Sequence, residues 1–237
     1  MIPLHDDVRT RRVPALTAAL VAANLAAFAW QLRAGLARSI EIGGAIPYEL
    51  LTSTDIGPRD LLPPPLTVLT SMFLHAGPWH LGGNLLFLWI FGRRVEGALG
   101  HLRFAALYLG AGIAAALAQA IATASGAAGL APGPAAAALS TPMVGASGAI
   151  AGLLAAYLLL FPRARIGTAF LVFILVRVVD VPAAIFIGGW FLLQVATALL
   201  GGAPGVAVFA HVGGFVAGLA GALLLRRRGP SPRRRAR

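Results

Sequence analysis

Cysteine does not occur anywhere in the 237 residues. That absence removes disulfides, thiol catalysis and cysteine-based zinc sites from consideration. Charge is scarce too: 11% of the residues are charged and only eight are acidic, against about 25% charged in a soluble domain. With 58% hydrophobic residues and a mean hydropathy of +0.82, the chain falls in the membrane class. It carries neither an HExxH pattern nor an internal repeat, which counts against a zinc hydrolase and against a transporter built from repeats. All 19 basic residues are arginine, for a formal net charge of +11. They gather at the ends of apolar runs, the pattern of a membrane topology signal rather than of a phosphate-tracking face. The expected partner is therefore the lipid bilayer and not nucleic acid, and no cofactor or metal is expected.

Residues 1–13 are polar, with Arg9, Arg11 and Arg12 ahead of the first apolar run, and are expected to form a cytoplasmic N-terminal segment. An all-α, six-helix membrane domain is expected over residues 14–225. Its spans run from about Pro14 to Leu32, from Leu66 or His80 to Phe91, and from Leu102 to Ala124, then from Val144 to Phe161, Pro182 to Leu200 and Val206 to Leu225. The first run lacks a convincing cleavage site and reads as a retained anchor. Residues 33–65, with Pro47, Pro58, Pro63, Pro64 and Pro65, form a long outer loop. Residues 125–142 read as a Gly/Pro/Ala linker. Residues 166–179 are apolar but short, and read as an interfacial or re-entrant connector. Counting them as a seventh span would send the arginines of the basic tail, 226–237, to the outer side. With six spans, every arginine but Arg33, Arg38 and Arg59 lies on the cytoplasmic side.

Within this apolar background a few polar side chains stand out, and such groups are costly in lipid unless they face one another. Ser147 opens the fourth span between Gly145 and Gly148. His211 lies near the start of the sixth, and His80 and Asn84 lie in the outer half of the second. All four reach a similar depth. Serine needs a base to take its proton, and histidine is the usual one near neutral pH. No carboxylate shares that depth, so a third, orienting acid is not expected. Ser147 sits where helix N–H groups are unpaired, so its own backbone could stabilise an oxyanion. His80 and Asn84, four apart on one face, could both reach the same oxygen. Gly148 and Gly152 in span four, with Gly214 and Gly218 in span six, are small-xxx-small pairs that would let the two helices close.

Three segments, Gly145-Ala146-Ser147-Gly148, His80-Leu81-Gly82-Gly83-Asn84 and Ala210-His211-Val212-Gly213-Gly214, together resemble the signatures of the rhomboid family of intramembrane serine proteases. The resemblance implies a six-helix rhomboid-like bundle with Ser147 as nucleophile and His211 as general base. It also implies an oxyanion hole of His80, Asn84, the Ser147 backbone and Gly145. Substrates would be transmembrane segments cleaved near the outer face. Span five around Trp190 and Phe191 would face span two as a lateral entrance, and residues 201–206 would cap the site. Two features depart from the family pattern. The tryptophan-arginine pair of the first outer loop is absent, Pro63-Pro64-Pro65-Leu66 standing there instead. A tyrosine that in some members stacks on the histidine is here Ala151, which leaves open what orients His211.

Less specific readings stand beside these. Ser147 alone would be a packing serine, His211 a donor to a neighbouring carbonyl, and Asn84 interhelical glue. His75 is expected to buttress the loop packing, and His101 lies at the opposite, cytoplasmic end. Glu96 is expected to pair with Arg93 or Arg103, while Asn24, Gln119 and Gln194 are expected to hydrogen-bond between helices. A catalytically inert relative that binds membrane clients is the main rival function. A bacterial inner membrane, with both termini cytoplasmic, is the expected location.

Overall fold

One helix, α9 (Ser147–Leu160), has every residue from Gly148 to Tyr157 buried, and the other helices are arranged around it. Its sequence is apolar on every side, as a helix enclosed by others requires, and Pro162 follows its end. The computed structural model describes residues 2–8, 10, 12–56, 62–172, 175–201 and 206–226. The expectations for Arg9, Arg11, Arg59, most of the 201–206 cap and the tail beyond 226 fall outside the described residues.

Helices α7 (His101–Ala127) and α11 (Val208–Leu225) pack directly on α9. Small residues permit this closeness. A Cβ added at Gly214 would overlap the Gly148 carbonyl, and one at Gly218 would overlap the Gly152 backbone. The same glycines, Gly148 and Gly152, also meet Ala115 and Ala111 of α7, so α7 runs antiparallel to α9 while α11 runs alongside it. A further helix, α10 (Ala183–Leu199), buries only Ala183, Phe186 and Ile187. Before these come α1 (Ala15–Ala34), α5 (Pro78–Phe87), a π-helical turn (Leu88–Gly92) and α6 (Arg93–Leu99). Among the described residues α1, α7 and α11 are long and apolar enough to cross a membrane, and α9 and α10 are shorter apolar helices.

The chain is mostly helical, but the all-α expectation needs correcting. Strands β1 (Ile2–Asp6), β2 (Arg165–Val172) and β3 (Leu175–Pro182) form an antiparallel sheet in that order, with Pro3 opposite Thr168 and Gly167 opposite Asp180. The 166–179 connector is thus most of a hairpin. A short apolar run rich in valine and phenylalanine satisfies strand and buried helix alike, and its length favours the strand. The expected outer loop and linker also contain helices: α2 (Leu36–Gly43), α3 (Pro47–Thr52), α4 (Pro64–Ser71) and α8 (Pro132–Ser140). Pro47, Pro64 and Pro132 begin helices, where the missing N–H costs nothing. Leu66 therefore belongs to α4, and the second long helical path starts at Pro78.

Two carboxylates tie the end of the bundle remote from Ser147. Asp6 accepts Arg94 Nε at 2.8 and 3.0 Å and the Tyr157 hydroxyl at 2.9 Å, with Arg94 Nη2 at 2.6 Å. This clamps the N-terminal strand to α6 and to the far end of α9. Asp6→Ala would leave the part-buried Arg94 guanidinium and the buried Tyr157 hydroxyl without this acceptor, a loss of about 1–3 kcal/mol, read as a lower thermal midpoint in detergent. Glu96 pairs with neither Arg93 nor Arg103. It accepts the N–H groups of Leu16 and Thr17 at 2.9 and 2.8 Å, the Thr17 hydroxyl at 2.6 Å, and lies 2.6 Å from His101 Nδ1. It therefore fills the N-terminus of α1, where unpaired donors and the helix dipole favour an anion. Arg93 lies near Asp6 instead, at 3.7 Å.

Burial pushes the Glu96 carboxyl up, but the donors from Thr17, Leu16 and His101 outweigh it and hold the group below its ordinary value. A carboxylate held low stabilises the fold above its unfolded pKa of about 4.3. That contribution is lost as pH falls through the lower folded value. The gap in thermal midpoint between the native chain and Glu96→Gln is therefore expected to be full at neutral pH and to close on acidification below about pH 4.3.

Candidate active site

The position of Ser147 is set by the segment ahead of it. Met143 and Ala45 exchange backbone hydrogen bonds of 3.0 and 2.8 Å, and the Gly145 N–H donates to the Ser71 carbonyl at 2.8 Å. Gly145 has φ +125°, a backbone conformation that favours glycine. The chain turns there from an extended approach into α9, and Ser147 is the first helical residue.

His211 lies in the first turn of α11. Because α11 runs alongside α9 at glycine contact, the two helix starts come together, and His211 Nε2 sits 2.8 Å from Ser147 Oγ. At the other side of the ring, Nδ1 lies 2.7 Å from Gln194 Oε1. A carboxamide oxygen only accepts, so Nδ1 donates and the Nε2 lone pair is left to accept the serine hydroxyl. Trp190, one turn earlier on α10, packs against the imidazole with ring centroids 5.8 Å apart. Ala151 is fully buried and carries no ring.

His80 stands in the first turn of α5. Its Nδ1 accepts the Ala76 N–H at 3.3 Å, which puts the proton of the neutral ring on Nε2. That edge lies beside Gly145: a Cβ added at Gly145 would be 2.8 Å from His80 Nε2 and 3.7 Å from Ser147 Oγ. The Gly145 N–H donates to the Ser71 carbonyl, and its missing side chain leaves room for the His80 imidazole. Asn84, nearly buried, donates one N–H to the His80 carbonyl at 3.0 Å and keeps a second. Ser147, His211, His80 and Asn84 all line one cavity of about 720 Å³, whose walls include Phe87, Ile150, Leu154 and Trp190. In such apolar surroundings a donor or an ionised group acts far more strongly than in water.

The remaining polar residues sort themselves by contact. His75 is fully buried, edge-on to His80 at 5.1 Å. Gln31 brackets its backbone, accepting the His75 N–H at 2.9 Å and donating to its carbonyl at 3.2 Å. Gln119 accepts the Ala210 N–H at 3.2 Å, between helices. Asn24 instead donates to Leu20 within its own helix. The interhelical bond expected of Gln194 is present, and its partner is His211, which sequence reasoning did not identify. Trp190 lines the same cavity as His80, Asn84 and Phe87 of α5, Phe191 stacks on Phe215 of α11 at 4.0 Å, and Phe186 meets Phe87 and Phe91. Among the described residues no group of three or more His, Asp or Glu side chains is placed to hold a metal ion.

What this arrangement offers is a hydroxyl whose proton is directed at a neutral imidazole, beside N–H donors, in a cleft with apolar walls. The comparisons with known proteins bear on the chain that carries it. A family model, the rhomboid domain, matches residues 65–228. Rhomboid protein 1, mitochondrial, of Saccharomyces cerevisiae is 34% identical over 166 residues, 68% of this chain and 42% of the relative's length. The chain thus matches less than half of that protein. The matched stretch takes in Ser147, His211, His80 and Asn84 and well over half of the sequence, and on that ground the chain belongs to the rhomboid family.

Proposed function

We propose that this protein is an intramembrane serine endopeptidase that cleaves transmembrane segments of other membrane proteins. The observation that carries the reading is the 2.8 Å contact between Ser147 Oγ and His211 Nε2, a hydroxyl and its base brought together from two helices. Ser147 Oγ attacks the scissile carbonyl while its proton passes to His211 Nε2. The carbonyl oxygen, now negative, is met by His80 Nε2–H, by the free N–H of Asn84 and by the Ser147 backbone N–H at the helix start. The imidazolium then gives its proton to the departing amine, leaving an acyl-serine. Water, deprotonated by the same imidazole, hydrolyses the ester and restores the hydroxyl. No metal or cofactor enters any step.

The substrate must present an unwound stretch to a cleft of about 720 Å³. Small residues, which weaken a substrate helix and pass close backbones, are the chemistry that fits. The arginine distribution supports a multi-pass domain of six spans over residues 14–225, with both ends and the basic tail 226–237 on the arginine-rich, cytoplasmic side. On this reading the site lies toward the outer face, and a bacterial inner membrane is the proposed location.

The test is cleavage of a single-span substrate by the chain reconstituted in liposomes. Two fragments are expected from the native chain, unchanged by a chelator, and from Ser147→Ala no more than a residual amount roughly 10³-fold smaller. Equal product from Ser147→Ala, or uncleaved substrate that is nonetheless held by the native chain, would overturn the protease reading. The second result is the one an inert client-binding relative gives.

A further inference from the structure

We infer that Gln194 is the positioning residue of this site: its carboxamide oxygen holds the His211 imidazole in the one tautomer whose Nε2 lone pair faces Ser147. The inference rests on the reading of Ser147 and His211 as nucleophile and base, and it assigns the orienting group that neither a carboxylate nor residue 151 supplies.

A neutral imidazole has one proton and two nitrogens, and only the Nδ1–H form can accept from Ser147. With nothing at Nδ1 the proton can move to Nε2, where the ring would donate toward the serine instead of accepting from it. Gln194 Oε1, 2.7 Å from Nδ1, makes the productive form the hydrogen-bonded one. A carboxamide offers the acceptor without bringing a charge into apolar surroundings, and a glutamate here would be held protonated by the same surroundings and still accept through its carbonyl oxygen. Trp190 precedes Gln194 by one helical turn on α10 and packs at a tilt against the same ring, with centroids 5.8 Å apart. The ring is therefore held by an acceptor at its edge and a tilted aromatic contact, both from one helix. That helix is anchored at its start by Ala183, Phe186 and Ile187, while Leu192, Leu193 and Leu199 on its later turns are exposed. The base stays oriented only while the later turns of α10 lie against α11.

The acceptor and its chain length can be separated by substitution. Gln194→Met keeps a long unbranched side chain and removes the acceptor; Gln194→Glu keeps an acceptor. The direct readout is the ¹⁵N spectrum of ring-labelled histidine in detergent-solubilised full-length chain, with the His211 signals identified by their loss in His211→Ala. The native chain should show the Nδ1-protonated tautomer, Gln194→Met a mixture, and Gln194→Glu the native form again. In the cleavage assay kcat should fall about 10–100-fold in Gln194→Met, with KM unchanged and most of kcat restored in Gln194→Glu. An unaltered His211 tautomer together with native kcat in Gln194→Met would overturn the assignment while leaving the protease reading intact. If the native chain shows no Ser147-dependent cleavage, the protease reading falls, and the histidine spectrum still decides whether Gln194 sets the tautomer.

Discussion

Ser147→Ala, His211→Ala and the double variant are expected to fall to one common floor of cleavage, each more than roughly 10³-fold below the native kcat. The reason is that the two side chains do one job. Without the imidazole the hydroxyl keeps its proton, and without the hydroxyl the imidazole has no proton to take. Losses that would multiply for independent groups therefore collapse into a single loss. Residual cleavage would come from the donors His80, Asn84 and the helix start, which act on the carbonyl oxygen whatever attacks it. Both side chains face the cavity, so the thermal midpoints of all three variants should stay near the native value. The measurement is single-turnover cleavage in liposomes beside thermal unfolding in detergent. Single variants whose losses multiply in the double variant would sink the idea of a coupled pair.

That pair was legible because lipid gives a polar side chain few places to go. A serine, two histidines and an asparagine in apolar runs at one depth need each other, and in the structure the four line one cavity. Gln194 was visible by the same rule, as a polar group in need of a partner. Its partner was not, since a helical sequence gives the face a side chain occupies but not the rotation of that face toward α11. Asn24 shows the rule failing: the same expectation was met by a carbonyl four residues back in its own helix.

Proline carries two meanings that sequence alone does not separate: Pro47, Pro64 and Pro132 lie in stretches with loop composition, yet each opens a short helix. The sheet was hidden for another reason. Strand β1 draws its pairing from β2, more than 150 residues away, and no local pattern in residues 1–13 announces a partner so distant. The carboxylate that locks β1 in place, Asp6, reads in sequence as one charge among several in a polar terminus.

Gly218→Val is expected to damage both stability and cleavage, and cleavage the more. The Cβ added at Gly218 would fall onto the Gly152 Cα and carbonyl, which are backbone atoms of the central helix and cannot swing aside as the end of a side chain can. Overpacking of this kind costs about 1–3 kcal/mol, occasionally more, and here it can be relieved only by α9 and α11 moving apart. Those are the helices that carry Ser147 and His211, so relief of the clash stretches the 2.8 Å contact on which proton transfer depends. A displacement of about 1 Å can by itself lower a rate roughly 10²-fold. Gly110→Ala is the matched control, because nothing lies within 4 Å of a Cβ at Gly110 and alanine there should hold or slightly raise the midpoint. The check is kcat measured on the fraction of Gly218→Val that remains folded below its own midpoint. A native kcat in that fraction would mean that the glycine contact packs the bundle without setting the distance between hydroxyl and imidazole.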